Sequence, residues 1–451
     1  MKKALALALA FGLTFAATLS GCSGSKTSDN SEETETETTT TADSESSDEG
    51  EETEAVDGIT LLNGKPEVDA QMQELADLYL EETGDAIQII SVQPNEKASD
   101  RLVEMQEEGN LPDIFVCEAD DFDSWSGQLE DLSEEEWMQI TSLAYEDPDE
   151  GVIGFPYMVE ACGLTYNKAI LDKAGVDPAS LTGPEAYREA FEKIDSQKED
   201  LGIDAVVAYA TNPEEVGWST GTHVFGQYLD AGLEPSDSTY IEMLNEGGSI
   251  DSDRMTKFAE FVGLLNQYAD ADILTDGTYD DQVSAFASGR CAFITQGSWI
   301  GALLTGKFNA EYAEAGAFEA GIAPFAFEED TNRVLDGPTS YWAVSKDGNV
   351  EKAKQFLLWC SMDTAQQIFV DEAGFISPFD NCPFEATDPL ASSVTEWLRA
   401  GNNSSFHTFL KKEGLEDPVS EVFAKYAKGE IADAQAFADE IQTVCKDYYS
   451  E

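Results

Sequence analysis

Five consecutive residues near the middle of the chain match a pattern for serine-based chemistry. Residues 217–221, GWSTG, fit G-x-S-x-G, which in hydrolases forms a sharp strand-to-helix turn that exposes a nucleophilic serine. Such chemistry would need Ser219 as nucleophile, with a histidine base and a carboxylate held independently of it. His223 follows the serine too closely to be held separately, and only His407 lies far downstream.

The residues that precede this motif argue against a catalytic turn. The apolar run at residues 204–211 predicts a strand, but "NPEEV" separates that strand from the motif. We therefore expect no enzyme activity, and a surface serine hydrolase using Ser219 is kept only as an alternative. On the favoured interpretation, Ser219 or Thr220 caps a helix that begins near Thr222. Trp218 would then lie in a loop that can face a ligand.

No metal centre and no cofactor are predicted. The two histidines form no H-x-x-x-H pair. Asp270, Asp272 and Asp276 lack the D-x-D-x-D-G spacing and the twelfth-position glutamate of a calcium loop, so we interpret them as a solvated acidic turn. Besides Cys22, six cysteines without C-x-x-C spacing are expected to be buried free thiols, with one or two disulfides as the alternative.

The N-terminus has the order of a secretory signal. Two lysines precede an apolar run at residues 4–19, which is shorter than the roughly 20 residues of a membrane span. The ending Leu-Ser-Gly-Cys resembles the bacterial lipobox, which implies cleavage after residue 21 and diacylglycerol attached to Cys22. The alternative is a plain signal peptide with an incidental cysteine.

Residues 22–57 form an acidic segment that contains thirteen acidic residues and one lysine. Such a segment buries too little apolar surface to offset chain entropy, so we expect a disordered tether on a membrane-anchored protein. Its length suggests the outer surface of a Gram-positive cell. The formal net charge of the whole chain is −65, which argues against nucleic acid as a partner.

The remaining residues predict an α/β protein with two lobes. Nearly 400 residues follow the acidic segment, more than a single hydrophobic core usually contains. Strands predicted at residues 58–64, 86–92 and 112–118 alternate with helices, one of which opens at Pro66 and ends at Gly84. This order predicts a parallel sheet covered by helices.

Four stretches resemble the bacterial extracellular solute-binding proteins of the carbohydrate type, the maltose-binding-protein-like group known as family 1. In that group they correspond to a Pro-Asp strand, a hinge segment with a glutamate and "Tyr-Asn-Lys", a strand followed by Gly-x-Trp, and a strand followed by an "Ala-x-x-Phe-Leu" helix. Here these stretches are "GNLPDIFVCEADDF", "GVIGFPYMVEACGLTYNKAILDKAGVD", "FASGRCAFITQGSW" and "GPTSYWAVSKDGNVEKAKQFLLW".

The resemblance implies a two-lobed periplasmic-binding-protein-like fold of type II, with a parallel-dominated sheet in each lobe and a ligand cleft between the lobes. The first lobe would take residues 58–157 and about 325–377, and the second about 158–324 and 378–451. It also implies a monomer that captures a carbohydrate, closes like a hinge and delivers the sugar to the permease of an ATP-binding-cassette importer. The open alternatives are another solute on the same fold and a surface capture protein that feeds no importer.

Two residues are the leading candidates for sugar contacts. Sugar rings stack on flat aromatic side chains, and sugar hydroxyls donate hydrogen bonds to carboxylates. The resembled group has a sugar-stacking tryptophan at the place of Trp299 and a ligand-contacting glutamate at the place of Glu160. A buried indole and a structural hydrogen bond are the respective alternatives.

Further candidates are weaker. Tyr157 precedes the hinge glutamate, Asn63 ends the first strand, and Asp120 follows the third strand. Tyr341 and Trp342 occupy opposite faces of one strand, so at most one of them faces the cleft. The loop interpretation of residues 217–221 makes Trp218 a possible second stacking surface.

Overall fold

The computed structural model describes residues 58–93, 96–119 and 121–450. The predicted signal, the acidic segment with its Cys22 anchor, and Asp120 lie outside these residues. The described strands, numbered in chain order, are β1 Ile59–Asn63, β2 Ile87–Ser91, β3 Ile114–Glu118, β4 Tyr145–Asp147, β5 Gly151–Pro156, β6 Glu160–Cys162, β7 Leu164–Asn167, β8 Ala205–Ala208, β9 Cys291–Ile294, β10 Ala320–Ala323, β11 Val334–Gly337, β12 Ser340–Val344 and β13 Asn403–Ser404.

Helices cover more of the described chain than strands do. They are α1 Asp69–Thr83, α2 Ala98–Glu108, α3 Lys168–Ala174, α4 Pro184–Asp195, α5 Lys198–Leu201, α6 Pro213–Trp218, α7 Phe225–Asp230, α8 Thr239–Asn245, α9 Ser252–Tyr268, α10 Ala271–Asp276, α11 Tyr279–Ala287, α12 Ile300–Thr305, α13 Asn309–Glu314, α14 Val350–Cys360, α15 Asp363–Gln367, α16 Ala391–Ala400, α17 Glu416–Ala427 and α18 Ala434–Ser450. None of the described helices combines the length and the apolar character that crossing a bilayer requires.

Local signals place the first strand and helix as predicted. A short 3₁₀ turn begins at Pro66 and leads into α1, whose buried face includes Met72, Leu75 and Tyr79. The helix ends at Gly84, which adopts φ 81°, a left-handed conformation that glycine reaches without the steric cost of a Cβ.

The largest sheet is mixed, which corrects the prediction of parallel-dominated sheets. Its order is β2-β1-β3-β12-β5-β4. Strand β1 pairs in parallel with β2 and β3, whereas β12 pairs antiparallel with β3 and β5, and β4 antiparallel with β5. The early strand–helix alternation predicts the parallel half. The antiparallel half contains β12, a strand from much later in the chain, and no local pattern predicts its direction.

Two smaller sheets complete the fold. A four-stranded sheet has the order β10-β7-β9-β8, in which only β8 and β9 are parallel. A three-stranded sheet has the order β13-β11-β6. Strand β6 pairs antiparallel with β11, so that Gly337 lies opposite Glu160.

The buried apolar side chains form two packing regions. The first packing region draws on residues 59–158 and 341–379, around the six-stranded sheet. The second packing region draws on residues 161–335 and 390–445, around the smaller sheets. Phe325, Phe327 and Leu335 pack in the second region. The chain passes between the two regions at Val159 and Glu160, again near Gly337, and a third time between residues 379 and 390.

The segment around the serine motif is helical apart from a kink at Val216 (φ −134°, ψ 22°), which corrects its interpretation as a loop. Helix α6 begins at Pro213, and the side chain of Asn212 accepts a hydrogen bond from the Glu214 amide at 3.3 Å. A π-helical turn over Ser219–Val224 then joins α6 to α7. The Asn-Pro pair that suggested a loop is therefore a helix N-cap followed by proline at the first helical position. Ser219 and Thr220 lie inside the helix and do not cap it.

Six cysteines of the described residues are free, as predicted. Five of them are buried, and Cys382 is half-buried; the buried ones are Cys117, Cys162, Cys291, Cys360 and Cys445. Burial raises the pKa of Cys162 to about 12, which suppresses the thiolate form that reacts.

Candidate functional site

A small, partly open cavity lies between the two packing regions. Its volume is about 30 Å³, roughly the share of one water molecule in the liquid and far below the about 300–1,000 Å³ of typical ligand pockets. In this structure the two regions therefore leave too little room between them for a ligand of that size. Charged, aromatic and small side chains line the cavity, among them Lys65, Glu67, Glu160, Ser298, Trp299 and Asp388.

Glu160 is held by two partners inside this cavity. Its Oε1 lies 2.7 Å from Nζ of Lys65, and its Oε2 accepts a hydrogen bond from Oγ1 of Thr339 at 2.6 Å. Burial alone would raise the pKa of Glu160, but Lys65 and the hydrogen bonds outweigh burial and lower that pKa. Burial alone would lower the pKa of Lys65, because it disfavours the charged ammonium. The negative charge of Glu160 outweighs burial, so the pKa of Lys65 is raised. Both groups are charged at neutral pH.

The Lys65 backbone is positioned by Asn63. The Asn63 Nδ2 donates to the Lys65 carbonyl at 2.8 Å and to Oγ of Ser91 at 3.1 Å, while Oδ1 accepts from the Lys65 amide at 3.0 Å. Both hydrogens of the Asn63 side-chain amide are thus donated to other groups of the protein. Asn63 acts on the cavity through Lys65 in this closed form.

Tyr157 packs beneath the same ion pair. Its hydroxyl lies 2.7 Å from Oγ of Ser340, and its ring stacks on Trp342 at a centroid distance of 4.6 Å. Burial raises the pKa of Tyr157 to about 12, so the phenol is neutral. Trp342 lies fully inside the core of the first packing region.

Tyr341 and Trp342 lie on opposite faces of β12, as strand geometry requires, and neither lines the cavity. Tyr341 packs against Phe122 and Tyr145 in a separate cluster of the first region. This packing favours a structural role for both residues, which lie outside the cavity.

Trp299 follows β9 in the short loop that joins this strand to α12. Its ring lies directly over Gly297, where an added Cβ would come within 2.2 Å of Cζ3 of the indole. Ser298 ties the loop to β6, because its amide donates to the Ala161 carbonyl at 2.9 Å and its Oγ accepts from the Ala161 amide at 3.0 Å. The indole and the Glu160 carboxylate are therefore carried by neighbouring, hydrogen-bonded segments.

An aromatic cluster extends from Trp299 to the surface. The ring centroid of Trp218 lies 6.1 Å from that of Trp299 and 5.4 Å from that of Tyr279. Trp218 is 37% exposed, one of few large apolar side chains on the described surface. The helix, and not the loop expected from the sequence, places Trp218 beside Trp299.

His223 packs on the protein side of this cluster. Its ring centroid lies 4.5 Å from that of Trp299. Burial lowers the pKa of His223 to about 4, so the ring is neutral at pH 7. Its Nδ1 has no hydrogen-bond partner among the described residues.

Asp388 closes the cavity from the C-terminal part of the chain. Its Oδ1 accepts from the Leu390 and Ala391 amides at 2.8 and 3.1 Å. Burial raises the pKa of Asp388 to about 6. The carboxyl group fits against Gly301, where an added Cβ would lie 1.9 Å from Oδ2.

Sequence reasoning missed Lys65 and Asp388. For Lys65 a signal was present, because it follows Asn-Gly at the carboxyl end of β1, where ligands of such sheets bind. For Asp388 there was none, since Asp-Pro in a polar stretch is typical of any surface turn.

The structure gives the serine motif a role in packing. The Oγ of Ser219 accepts a hydrogen bond from Nε2 of Gln296 at 3.0 Å, and the serine lies within a helix. His407, the downstream histidine, is 2.7 Å from Oδ1 of Asp230. At Gly221 an added Cβ would lie 2.2 Å from the carbonyl oxygen of Glu416, so this glycine permits close approach of the helix to α17.

Residues 74–393 match the family described as bacterial extracellular solute-binding protein, a span of more than half of the 451 residues. The chain belongs to this family. Its members act outside the cytoplasm as binding proteins, which agrees with the expectation of a binding role.

Solved structures of similar fold come from binding proteins. The putative binding protein MsmE of Bacillus subtilis subsp. subtilis strain 168, in an open conformation, has a TM-score of 0.64 at 18% identity, covering 87% of this chain and 96% of that chain. A chitin oligosaccharide binding protein has a TM-score of 0.69 at 14% identity, with 87% and 99% covered. The GacH receptor of Streptomyces glaucescens has a TM-score of 0.67 at 18% identity, covering 87% of this chain and 98% of that chain.

These likenesses confirm the predicted two-lobed α/β binding-protein fold. Among proteins of curated function, none matches this sequence significantly.

Proposed function

We propose that this protein captures a carbohydrate between its two packing regions and delivers it to the permease of an ATP-binding-cassette importer. The observation that carries the proposal is the position of Trp299 beside Glu160 in the interregion cavity. An indole face and a carboxylate are the two groups that a sugar ring with its hydroxyls requires. Separation of the regions would expose both groups.

Three features support a sugar of more than one ring. Trp218 and Tyr279 continue the aromatic surface from Trp299 towards solvent. The Lys65 ammonium can donate to sugar hydroxyls once it leaves Glu160. Titles of similar folds name raffinose, stachyose and chitin oligosaccharide.

The remaining parts of the proposal concern the cell envelope. The lipobox at Cys22 would anchor a monomer to the outer face of the membrane, and the acidic tether of residues 22–57 would link this anchor to the binding regions. The lobes would follow the two packing regions and close on the sugar.

A thermal-shift screen tests the carbohydrate assignment. The protein is heated with mono- and oligosaccharides, including raffinose, stachyose and chitin oligosaccharides, and with amino acids, peptides and polyamines. A ligand at one hundred times its Kd stabilises by about 2.7 kcal/mol, which is a rise in Tm of several degrees for a protein of this size. A rise with a non-sugar solute and with no sugar would overturn the assignment.

The matched controls are Trp299→Ala and Trp299→Phe. The alanine variant should lose the sugar-induced shift, and the phenylalanine variant should retain part of it because a smaller aromatic face remains. Equal shifts in the alanine variant and the unaltered protein would remove Trp299 from the site.

A further inference from the structure

We infer that Gln296 is a positioning residue, which with Gln282 and Ser219 fixes the indole of Trp299 so that it offers a ligand only its ring face. This inference rests on the proposed function, because it assigns the way in which Trp299 contacts the captured solute. It concerns buried side chains behind the cavity wall.

The hydrogen bonds of this group run in one direction. Gln282 Nε2 donates to the Ala208 carbonyl at 3.0 Å and to Oγ1 of Thr295 at 2.9 Å. A carbonyl oxygen only accepts, so the Gln282 amide has one possible orientation, with Oε1 turned to Gln296. Gln296 Nε2 then donates to that Oε1 at 2.9 Å and to Oγ of Ser219 at 3.0 Å.

The orientation is thereby passed on to the tryptophan. With both Nε2 hydrogens of Gln296 used, its Oε1 faces outward and accepts from Nε1 of Trp299 at 2.9 Å. Gln282 and Gln296 are 1% and 0% exposed, and an unmade hydrogen bond there would be costly. The Ala208 carbonyl at the end of β8 therefore fixes the orientation of the Gln282 amide and, through it, that of the Gln296 amide, which accepts the indole N–H of Trp299.

The arrangement restricts what Trp299 can contribute. An indole has a single donor and no acceptor, and Gln296 takes that donor. Trp299 can thus recognise a ring by stacking alone, and hydroxyl recognition is left to charged neighbours such as Lys65 and Glu160. Ser219, which at first suggested catalysis, serves as an anchor of this network.

One neighbour competes for the same proton. The Tyr279 hydroxyl also lies beside the Trp299 indole N–H. The experiment must therefore distinguish whether Gln296 or Tyr279 accepts the hydrogen bond that orients the Trp299 ring.

The test uses the full-length protein with ¹⁵N-labelled indoles. Trp299→Phe identifies the Trp299 signal among the seven tryptophans. The indoles of Trp137 and Trp342, which have no partner among the described residues, mark the shift of a buried unbonded N–H. In Gln296→Met, which conserves side-chain length, the Trp299 signal should move towards those references and its hydrogen exchange should quicken at least tenfold.

Gln282→Met provides a second variant that touches neither Trp299 nor the cavity. It should change the Trp299 signal in the same direction, because the orientation of Gln296 is no longer set. Tyr279→Phe should leave the signal in place. If the signal is unchanged in both methionine variants, or changes only in Tyr279→Phe, the inference is overturned.

A binding measurement completes the test. If raffinose binds the unaltered protein, its Kd should rise at least tenfold in Gln296→Met when both proteins are measured well below their Tm, and an unchanged Kd would overturn the inference. If no sugar binds the unaltered protein, the proposed function fails, whereas the indole signals still decide whether Gln296 positions Trp299.

Discussion

Lys65 and Glu160 form a buried ion pair in which each charge is stabilised by the other. Their side chains are 16% and 9% exposed, so both charges have lost most of their hydration. Such a pair is often no more stabilising than an apolar replacement, but removing one partner leaves an uncompensated charge. The intact pair therefore adds little to the free energy of unfolding, whereas removing one of its two residues lowers that free energy strongly.

Replacing Lys65 alone should destabilise the protein in a pH-dependent way. At pH 7 we expect Lys65→Met to lower the free energy of unfolding by about 3–5 kcal/mol. Without the ammonium, burial raises the pKa of Glu160 above its unfolded value, so the penalty shrinks as the pH falls and Glu160 becomes protonated. Urea unfolding at pH 4.5 and pH 7 measures both effects.

The double variant Lys65→Met with Glu160→Gln is the control. It removes both charges, so it should recover most of the lost stability at pH 7 and show no added dependence on pH. A double variant as unstable as Lys65→Met would mean that the packing of the lysine side chain, and not its charge, matters.

At the residue scale, the sequence pointed to individual cavity residues but not to the residues that surround them. Glu160 and Trp299 were found because they stand in recognisable stretches, and both line the cavity. Lys65 and Asp388 are their neighbours only in space, whereas Gln296 precedes Trp299 by three residues and is joined to it by a hydrogen bond. Contacts between residues far apart in the chain, such as the hydrogen bond that joins Thr339 to Glu160 across 179 positions, carry no local pattern in the sequence.

At the element scale, the π-helical turn over Ser219–Val224 depends on one glycine. Gly221 faces α17 so closely that a Cβ would strike the Glu416 carbonyl oxygen at 2.2 Å. Gly217, the other glycine of the motif, has only the Ser420 side chain near its missing Cβ, with Oγ at 3.3 Å and Cβ at 3.7 Å. The two glycines therefore form a matched pair in one helical segment.

Gly221→Ala should destabilise the protein more than Gly217→Ala. Backbone atoms cannot move aside cheaply, so we expect a loss of about 1–3 kcal/mol or more for Gly221→Ala. Gly217→Ala gains helix propensity and needs only a small shift of a serine side chain, so its stability should change by less than about 1 kcal/mol. Chemical denaturation compares them, and equal losses would contradict the packing role of Gly221.

Elements with strong local signals were predicted, and elements set by distant contacts were not. The strands β1, β2 and β3 and the helix α1 follow from periodicity, proline and glycine positions. Helix α6 was missed because Asn-Pro serves equally as a loop or as a helix start, and contacts with α17 select the helix. The antiparallel direction of β12 depends on how the whole chain returns to the first sheet.

For the whole molecule, the dominant feature is its net charge of −65. Many acidic side chains are exposed and lie within the screening distance of one another, about 10 Å at 0.1 M salt. Their mutual repulsion disfavours the compact state. Few lysines and arginines are available to offset it, since the chain has 25 of them against 90 acidic residues.

Added salt should therefore stabilise this protein. Raising NaCl from 20 to 300 mM should increase Tm by a few degrees, because screening weakens repulsion between exposed carboxylates more than it weakens the buried Lys65–Glu160 pair. Calorimetry at constant pH measures the change. A fall in Tm over this range would mean that surface ion pairs contribute more than general repulsion.

The burial of nearly all described thiols makes the proposed closing motion accessible to direct observation. Polar contacts join the regions at Lys97, whose Nζ lies 3.8 Å from Oδ1 of Asp417, and at Ser124, whose Oγ donates to Glu413 at 2.8 Å. In a chain that begins at residue 58 with Cys382→Ser, maleimide dyes would react at two cysteines introduced near these contacts while the native thiols stay protected. Single-molecule energy transfer between the dyes would then report each opening and closing of the protein in real time.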